Sequence, residues 1–567
     1  MSDTVRGIVF VALVIVITVV WLRFFQPPAP PPQKAGQPAS QTSTAQTAGP
    51  AQASGPSSGQ PVAATAAAPA KIVVVEASAE KTIVVESSLY RVELSNRGGV
   101  VRSWKLKKHL DDQKPPHPLD LVNADSSRQL GWPMSLALAD AQLQEQANAG
   151  LYDVTPAGGD LTAPAEVTFH WSDGHLDVTK KLKFKEDYEV SIEVSATLDG
   201  KPLAPAIAWR GGFGDKAVYK ASQLVNVFYK QGDSLSLLQY KKLGVSGNQS
   251  QPAQLAGPMV FTGIEDQFFT AAFIPDGTDM SLWHWTQYHN VTTDSQTSSE
   301  PEAEMDAGAA HPETLKVRVY VGPKDLALLG KVRPSLEELV QFGWFGVIAK
   351  PLLLVLQWMH RYVPNYGWSI VVFTLALTMV LFPIRLWTFR SARKMQSVAP
   401  EIKSIQDRYK KYSMRDPRKK KMNEEVMAVY SREGINPVGS CLPMVVQIPI
   451  LIGFYRTLSG AIELRHAPWI LWIHDLSAKD PYYILPIAMV ITTYLMTKMT
   501  PTPATVDPAQ QKMMMLMPLM LGFIFFNLSS GLNLYYFASN VVGVAQQWYL
   551  NRAQPLPSRS KFKKKQE

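Results

Sequence analysis

The chain has one cysteine, Cys441, in 567 residues. No intrachain disulfide can form and no cysteine-based zinc site can be assembled. Any extracytoplasmic domain must therefore stand on its hydrophobic core alone. Catalytic signatures are missing too. There is no G-x-x-x-x-G-K-[ST] phosphate loop, no H-E-x-x-H zinc helix, and no G-x-S-x-G elbow between a strand and a helix. The pair His474-Asp475, in LWIHDLSAKDPYY, has no nucleophile or third partner nearby in sequence. Its flanking Trp and two Tyr mark an interfacial loop instead. No enzymatic activity, cofactor or metal is expected. Charge is sparse as well, with Asp, Glu, Lys and Arg making up 18% of the residues, where soluble domains carry about 25%.

What the chain does have is long apolar runs and a basic balance of +9. A mean hydropathy of −0.05 averages very unlike regions. Gly7 to Phe25 (GIVFVALVIVITVVWLRFF) is long and apolar enough to span a bilayer. No Ala-x-Ala cleavage site follows promptly, so an uncleaved anchor over residues 1–26 is expected rather than a signal peptide. Residues 27–70 are Pro, Ala, Gln, Ser, Thr and Gly, which bury too little to offset ordering entropy, and read as a flexible tether.

Residues 71–333 change to short β-branched, alternating runs: KIVVVEAS, KTIVVESS, YRVELS, AEVTFHWS, DVTKKLKF, YEVSIEVSATL and LKVRVYVGP. Turn signals such as Asn96-Arg97-Gly98-Gly99 separate them. This pattern predicts one large all-β sandwich domain without giving its strand order.

Beyond Pro334 the apolar segments lengthen. Phe345 to Val363 mixes Lys350, Gln357, His360 and Arg361 with Leu and Trp, which suits an amphipathic interfacial helix within residues 334–365. Candidate spans follow over 366–387, 440–463, 482–499, 513–528 and 532–550, making six with the anchor. The loop between Arg385 and Arg432 is strongly basic and should be cytoplasmic. Both termini are then cytoplasmic, including the tail RSKFKKKQE, and the β domain lies outside. Within this loop, Met395, Val398, Ile402, Ile405 and Tyr409, then Met422, Val426, Val429 and Tyr430, recur at helical spacing on either side of Asp416-Pro417. That predicts a helical hairpin over 388–437 within the bundle 366–552, followed by a basic tail over 553–567. Arg393, Lys394, Arg408, Arg418, Lys419 and Lys420 are its candidate docking residues, with a merely solvated face as the competing reading.

Polar groups inside the spans carry the most information, because such groups in hydrocarbon normally face a partner or a wet cavity. Thr374, Thr378 and Arg385 fall near one helical face and would line a path toward the cytoplasm. Alternatively Arg385 snorkels and the threonines bond back to their own helix. Gln447 stands between Pro443 and Pro449 in the next span. Asn533, Tyr535 and Tyr536, with Ser539 and Asn540, crowd the last, where a groove and helix–helix hydrogen bonds explain them equally well. The fifth span opens on Met513-Met514-Met515-Leu516-Met517 and is short of the ~20 residues that cross hydrocarbon, which favours local bilayer thinning.

Four stretches, EGINPVGSCLPMVVQIPI, ELRHAPWILWIHDLSAKDPYYILP, DPAQQKMMMLMP and SSGLNLYYFASN, resemble the YidC membrane protein insertases, relatives of the mitochondrial Oxa and chloroplast Alb insertases. The resemblance covers nearly the whole chain, in the form that carries a large periplasmic β supersandwich. It implies five conserved spans around a hydrophilic groove, open to cytoplasm and lipid and closed toward the periplasm. Thr374, Gln447 and Tyr536 match groove positions. The implied partners are nascent membrane protein clients, the lipid bilayer, Sec translocon components and the ribosome, with no direct recognition of nucleic acid. One departure stands out: where the family usually carries a groove arginine, this chain has Thr378. Arg385 lies about 10.5 Å further along an ideal helix, on nearly the same face unless Pro383 bends it. It is the expected source of the groove's positive charge, with Arg456 as a second.

Two other readings compete. A transporter or channel would favour inverted repeats and a mid-plane site, and no repeat is visible. An anchored carbohydrate-binding or chaperone module would use Trp171, Trp209, Trp283 and Trp285 for stacking, although such aromatics more often fill cores.

Overall fold

In the computed structural model the described residues are 73–215, 225–239, 253–277, 282–291, 302–412, 416–435, 442–500 and 508–553. The expected anchor, tether and basic tail, together with Cys441, lie outside them. The chain forms two compact units that divide between Gly322 and Pro323.

The first unit is built on two sheets. Among the described residues one has five strands, led by Thr82–Glu86, Tyr90–Ser95 and Val100–Leu110, with Gly159–Thr162 joining in parallel, and the other has fourteen. Alternation along the strands puts one face inward: Val178, Lys180 and Leu182 are buried while Thr179, Lys181 and Lys183 are not. The sheets meet through aromatic rings. Trp104 of the small sheet packs 6.3 Å from both Phe184 and Trp209 of the large one. Trp171, Trp209 and Trp285 are buried, so these three serve the core and are not available for stacking on sugars.

Two expectations for this unit need correction. The described part of KIVVVEAS, from Val73 onward, is not a strand. Val75 makes an isolated bridge to Ser172 and Ala77 N–H donates to the Leu151 carbonyl, while Val73 and Val74 are exposed. Nor is the unit all-β, for α1 (Ala124–Leu130) and α2 (Ala141–Ala149) interrupt it. Their N-caps, Asn123 and Asp140, accept from backbone N–H groups of the first turn.

Lys180 is the notable exception to apolar packing. It is fully buried, and its ammonium donates to the carbonyls of Gly98 (2.7 Å), Gly99 (3.2 Å) and Met134 (3.0 Å). Three donors thus meet three acceptors, tying the 98–99 turn to the 134 loop. Burial pushes its pKa from 10.5 down to about 7.

The second unit is helical: α3 (Leu326–Leu329), α4 (Gly346–His360), α5 (Tyr366–Val380), α6 (Phe382–Ser397), α7 (Ala399–Arg408), α8 (Arg418–Arg432), α9 (Leu442–Gly460), α10 (Ile484–Met499), α11 (Pro508–Phe525) and α12 (Ser530–Ala553). Among the described residues no single helix is both long and apolar enough to cross a membrane; the pair α5 and α6 passes together and is bent by 53°. The candidate span over 366–387 is thus bent, the alternative that Pro383 left open. Pro383 explains the break, because its ring and missing N–H disrupt the preceding turn at Leu381. Helix α6 then runs unbroken past residue 388 to Ser397, so the hairpin proper starts at Ala399.

Large apolar side chains face outward over most of this unit, among them Met379 and Val380 on α5, Ile487 and Ile491 on α10, and Leu516, Met520 and Phe523 on α11. Exposed aromatics gather toward the helix ends: Trp358, Tyr362, Trp368, Tyr482 and Tyr483 around one set of termini, Trp387, Trp548 and Tyr549 around the other. An apolar exterior with aromatic rims is what a bilayer selects, since ring bodies favour hydrocarbon and their polar edges favour headgroups. At the first set of termini the loop before α10 is zipped onto α12: Ser530 and Gly531 N–H donate to the carbonyls of Ala478 and Leu476. Asp480, nearly inaccessible, accepts from Trp472 Nε1 and from the backbone of Tyr482 and Leu485, fixing the start of α10.

Candidate functional site: a polar cavity in the helical unit

Helices α5, α6, α9, α10 and α12 enclose a cavity of about 340 Å³. Thr378 and Arg385 reach it from either side of the bend, Gln447 from α9, Met496 from α10, and Tyr536, Ser539, Asn540 and Gln546 from α12. Leu381, Ile384, Ile448 and Leu451 complete its wall. Among the described residues Arg385 is the only charged one lining it.

The guanidinium is held without being neutralised. Its Nη1 donates to Gln546 Oε1 at 2.7 Å and its Nη2 lies 3.4 Å from Met496 Sδ. Both partners are uncharged, and a guanidinium fork has five N–H donors. Gly543 leaves the space it occupies, since a Cβ there would stand 2.8 Å from Nη2 and 3.0 Å from Met496 Sδ. A cation with spare donors in a partly dry cavity attracts an anionic group more strongly than the same cation in water.

Around it the polar groups are positioned by neighbouring helices. Gln447 Nε2 donates to the Tyr535 hydroxyl at 3.4 Å, and Tyr535 in turn stacks on Phe454 with ring centres 3.9 Å apart. Asn540 Nδ2 donates to Thr493 Oγ1 at 2.7 Å. Gln546 has its Nε2 buried with no partner among the described residues.

Of the residues singled out from sequence, the structure gathers Thr378, Arg385, Gln447 and Tyr536 on the cavity. It sets three apart. Thr374 is fully buried; its hydroxyl bonds back to the Ile370 carbonyl at 2.6 Å, as the Thr378 hydroxyl does to the Thr374 carbonyl at 2.8 Å, so burial is what separates the two. Asn533 donates to the carbonyls of Phe525 and Leu528, closing the turn between α11 and α12. Tyr535 sits behind Gln447. Arg456 is not among the lining residues either. Sequence reasoning missed Met496 and Gln546 as lining; for Gln546 the available signal was the adjacent amide pair Gln546-Gln547, about two turns beyond the polar cluster that ends at Asn540.

The hairpin residues separate similarly. Ile402, Ile405, Met422, Val426, Val429 and Tyr430 form one buried cluster with Met395 and Val398. Arg408 pairs with Glu425 at 2.9 Å, and Arg418 pairs with Asp416 at 2.9 Å while lying over the Tyr412 ring. Lys394, Lys419 and Lys420 carry no ion pair within 4.0 Å among the described residues. Arg393 does not belong to this surface: it donates to Asn551 Oδ1 of α12 at 3.1 Å.

An apolar-surfaced helical unit with a half-open cavity that holds a guanidinium among amides and hydroxyls, joined in one chain to a β-rich domain, defines the class as a membrane-embedded protein with a separate extramembrane domain. Comparison with known proteins agrees. Residues 358–557 match the family described as 60Kd inner membrane protein, and residues 82–355 match the YidC periplasmic domain. The membrane protein insertase YidC of Cupriavidus taiwanensis is 32% identical over 504 residues, 87% of each chain. That of Geobacter metallireducens is 31% identical over 565 residues, 95% of this chain and 98% of its own. Among solved structures, an active YidC insertase with its first transmembrane domain resolved covers 85% of this chain and 95% of its own, at 17% identity and a TM-score of 0.35. The chain belongs to the YidC family of membrane protein insertases, bacterial inner-membrane proteins with a β-rich periplasmic domain.

Proposed function

We propose that this insertase works through the cavity around Arg385, which receives hydrophilic parts of a client while the client's apolar segment stays against lipid. The observation that carries the reading is the guanidinium of Arg385, the one charge lining the cavity among the described residues, held by neutral partners among polar side chains of three other helices in a unit whose exterior is apolar. A charged or amide group in hydrocarbon is costly. A polar cavity lowers that cost by replacing lost hydration with hydrogen-bond partners, and the client's apolar span supplies the favourable free energy.

In this reading the bundle has six spans, five of them around the cavity, with both termini and the basic hairpin cytoplasmic. The cavity opens toward cytoplasm and lipid. The loop zipped onto α12 at Ala478 and Ser530 forms the closed, periplasmic end. Arg385 takes the place of the groove arginine absent at Thr378. The bend at Leu381 supports this, because it leaves both residues on the same cavity. Lys394, Lys419 and Lys420 offer the charge for docking Sec components or the ribosome, and clients are integrated with or without the translocon.

The test is photocrosslinking of a stalled nascent inner-membrane protein to probes at Thr378, Gln447 and Tyr536, with Thr374 as a buried control. Strong adducts at the first three and none at Thr374 are expected. Equal labelling of all four, or labelling of outward positions such as Val380 alone, would remove the cavity from the mechanism.

A further inference from the structure

We infer that the β-rich domain carries a binding site for a small oxyanion, a phosphate or a carboxylate, in a cavity of about 260 Å³ next to Trp132. Arg97, Arg102 and Arg210 line this cavity with Trp132, Ser135 and Asn148. Arg102 sits over Trp132, its Cζ 4.3 Å from the ring centre, a cation–π contact that holds the guanidinium beside the cavity. Arg210 passes close over the backbone of Gly131, where a Cβ would stand 3.3 Å from its Cζ. Gly131 has φ +108, a conformation that favours glycine.

The charges do not cancel. Glu80, outside the lining, meets Arg97 at 2.9 Å and Arg102 at 3.3 Å. Asp306 meets Arg210 at 3.4 Å and also takes His289 at 2.9 Å. Three guanidiniums thus share two carboxylates, one of them divided further, and each fork retains N–H donors beyond those contacts. Ser135 is 2% exposed and its Oγ has no hydrogen-bond partner among the described residues. A buried hydroxyl left unpaired costs free energy unless something completes it. Asn148 exchanges two bonds with the Leu136 backbone, which fixes its amide and leaves one Nδ2–H. Guanidinium forks and an unused hydroxyl are the donor set that tetrahedral or planar oxyanions take. Half-exposed arginines gathered only by a solvated surface would not need the Trp132 platform or the glycine approach.

The experiment is calorimetric titration of the intact protein in detergent with inorganic phosphate and, separately, with acetate, at constant ionic strength set by chloride. Saturable binding of phosphate, of acetate or of both is expected, and which one binds identifies the oxyanion. Arg102→Gln and Ser135→Ala should each weaken binding by about tenfold, the loss expected for one charge-assisted hydrogen bond. The melting temperature without anion should hold in Ser135→Ala, which removes an unpartnered group. Weaker binding in either variant that keeps its melting temperature supports the site. No saturable binding by the wild-type protein, or binding in both variants equal to wild type, overturns it.

Discussion

Arg385 Nη1 donates to Gln546 Oε1 at 2.7 Å, joining α6 to α12 across the cavity. The pair sets the cation's position without cancelling its charge, and Gly543 one turn earlier on α12 makes the room. Arg385→Ala should therefore slow insertion of an acidic-tailed client by roughly 10- to 100-fold, as expected for losing one charge-assisted contact of ~1.5–3 kcal/mol. Arg385→Lys should retain part of the rate. The readout is protease protection of the client in vesicles; wild-type rates with Arg385→Ala would refute the assignment.

Gly543→Ala tests the same site from the opposite helix. Its Cβ would fall 2.8 Å from Arg385 Nη2, so the guanidinium must move while the backbone can stay. The expected outcome is a client defect close to that of Arg385→Ala with a helical content unchanged by circular dichroism. A defect with no counterpart in Arg385→Ala would mean that Gly543 serves helix packing alone.

Asn533 and Asn540 should behave differently, although both are buried amides of α12. Asn533→Ala leaves the Phe525 and Leu528 carbonyls without their side-chain donor at a helix end and should cost about 1–3 kcal/mol of stability. Asn540→Ala removes two interhelical bonds, to Thr493 Oγ1 at 2.7 Å and to the Met489 carbonyl at 3.4 Å, each worth about 0.6 kcal/mol or less in a membrane setting, and leaves no helix end uncapped. Detergent-titration unfolding of the two variants would rank them, and the reverse order would contradict these assignments.

Lys180 predicts a pH dependence for the β-rich domain. Its folded pKa of about 7 lies below the ordinary 10.5. Below pH 7 both folded and unfolded chains hold the proton, and Lys180 contributes no slope. Between about 7 and 10.5 the unfolded chain keeps a proton that the folded one has lost, so stability rises with pH. Lys180→Met should abolish that rise, measured as hydrogen-exchange protection of Leu176–Phe184 across the range in the intact protein. It should also lower protection at pH 7, because three carbonyls lose their donor. An unchanged pH profile would exclude Lys180 as its source.

In the hairpin, packing should outweigh charge. Ile402→Ala creates a void in the cluster beneath α7 and α8 and should cost about 2–5 kcal/mol. Arg432→Ala breaks only exposed pairs, with Glu401 and with its chain neighbour Glu433, and should leave stability nearly unchanged. Limited proteolysis at the hairpin should detect the first and not the second.

The amino-acid sequence was enough for the two-part build, because period-2 and period-3.6 apolar patterns record which faces are buried. KTIVVESS and YRVELS are paired strands for that reason, and Ile402, Ile405, Met422 and Val426 do meet in one cluster. It was enough for the family as well, through stretches such as SSGLNLYYFASN. It could not separate residues of one chemistry by role. Thr374 and Thr378, four residues apart, look alike in the chain, yet one hydroxyl is sealed and the other residue lines the cavity. Asn533 and Gln546 are both amides in an apolar helix, and only one of them holds Arg385. Those distinctions depend on which neighbouring helix faces each side chain and on the 53° bend at Leu381. Both arise from contacts between segments far apart in the chain, to which local pattern is blind.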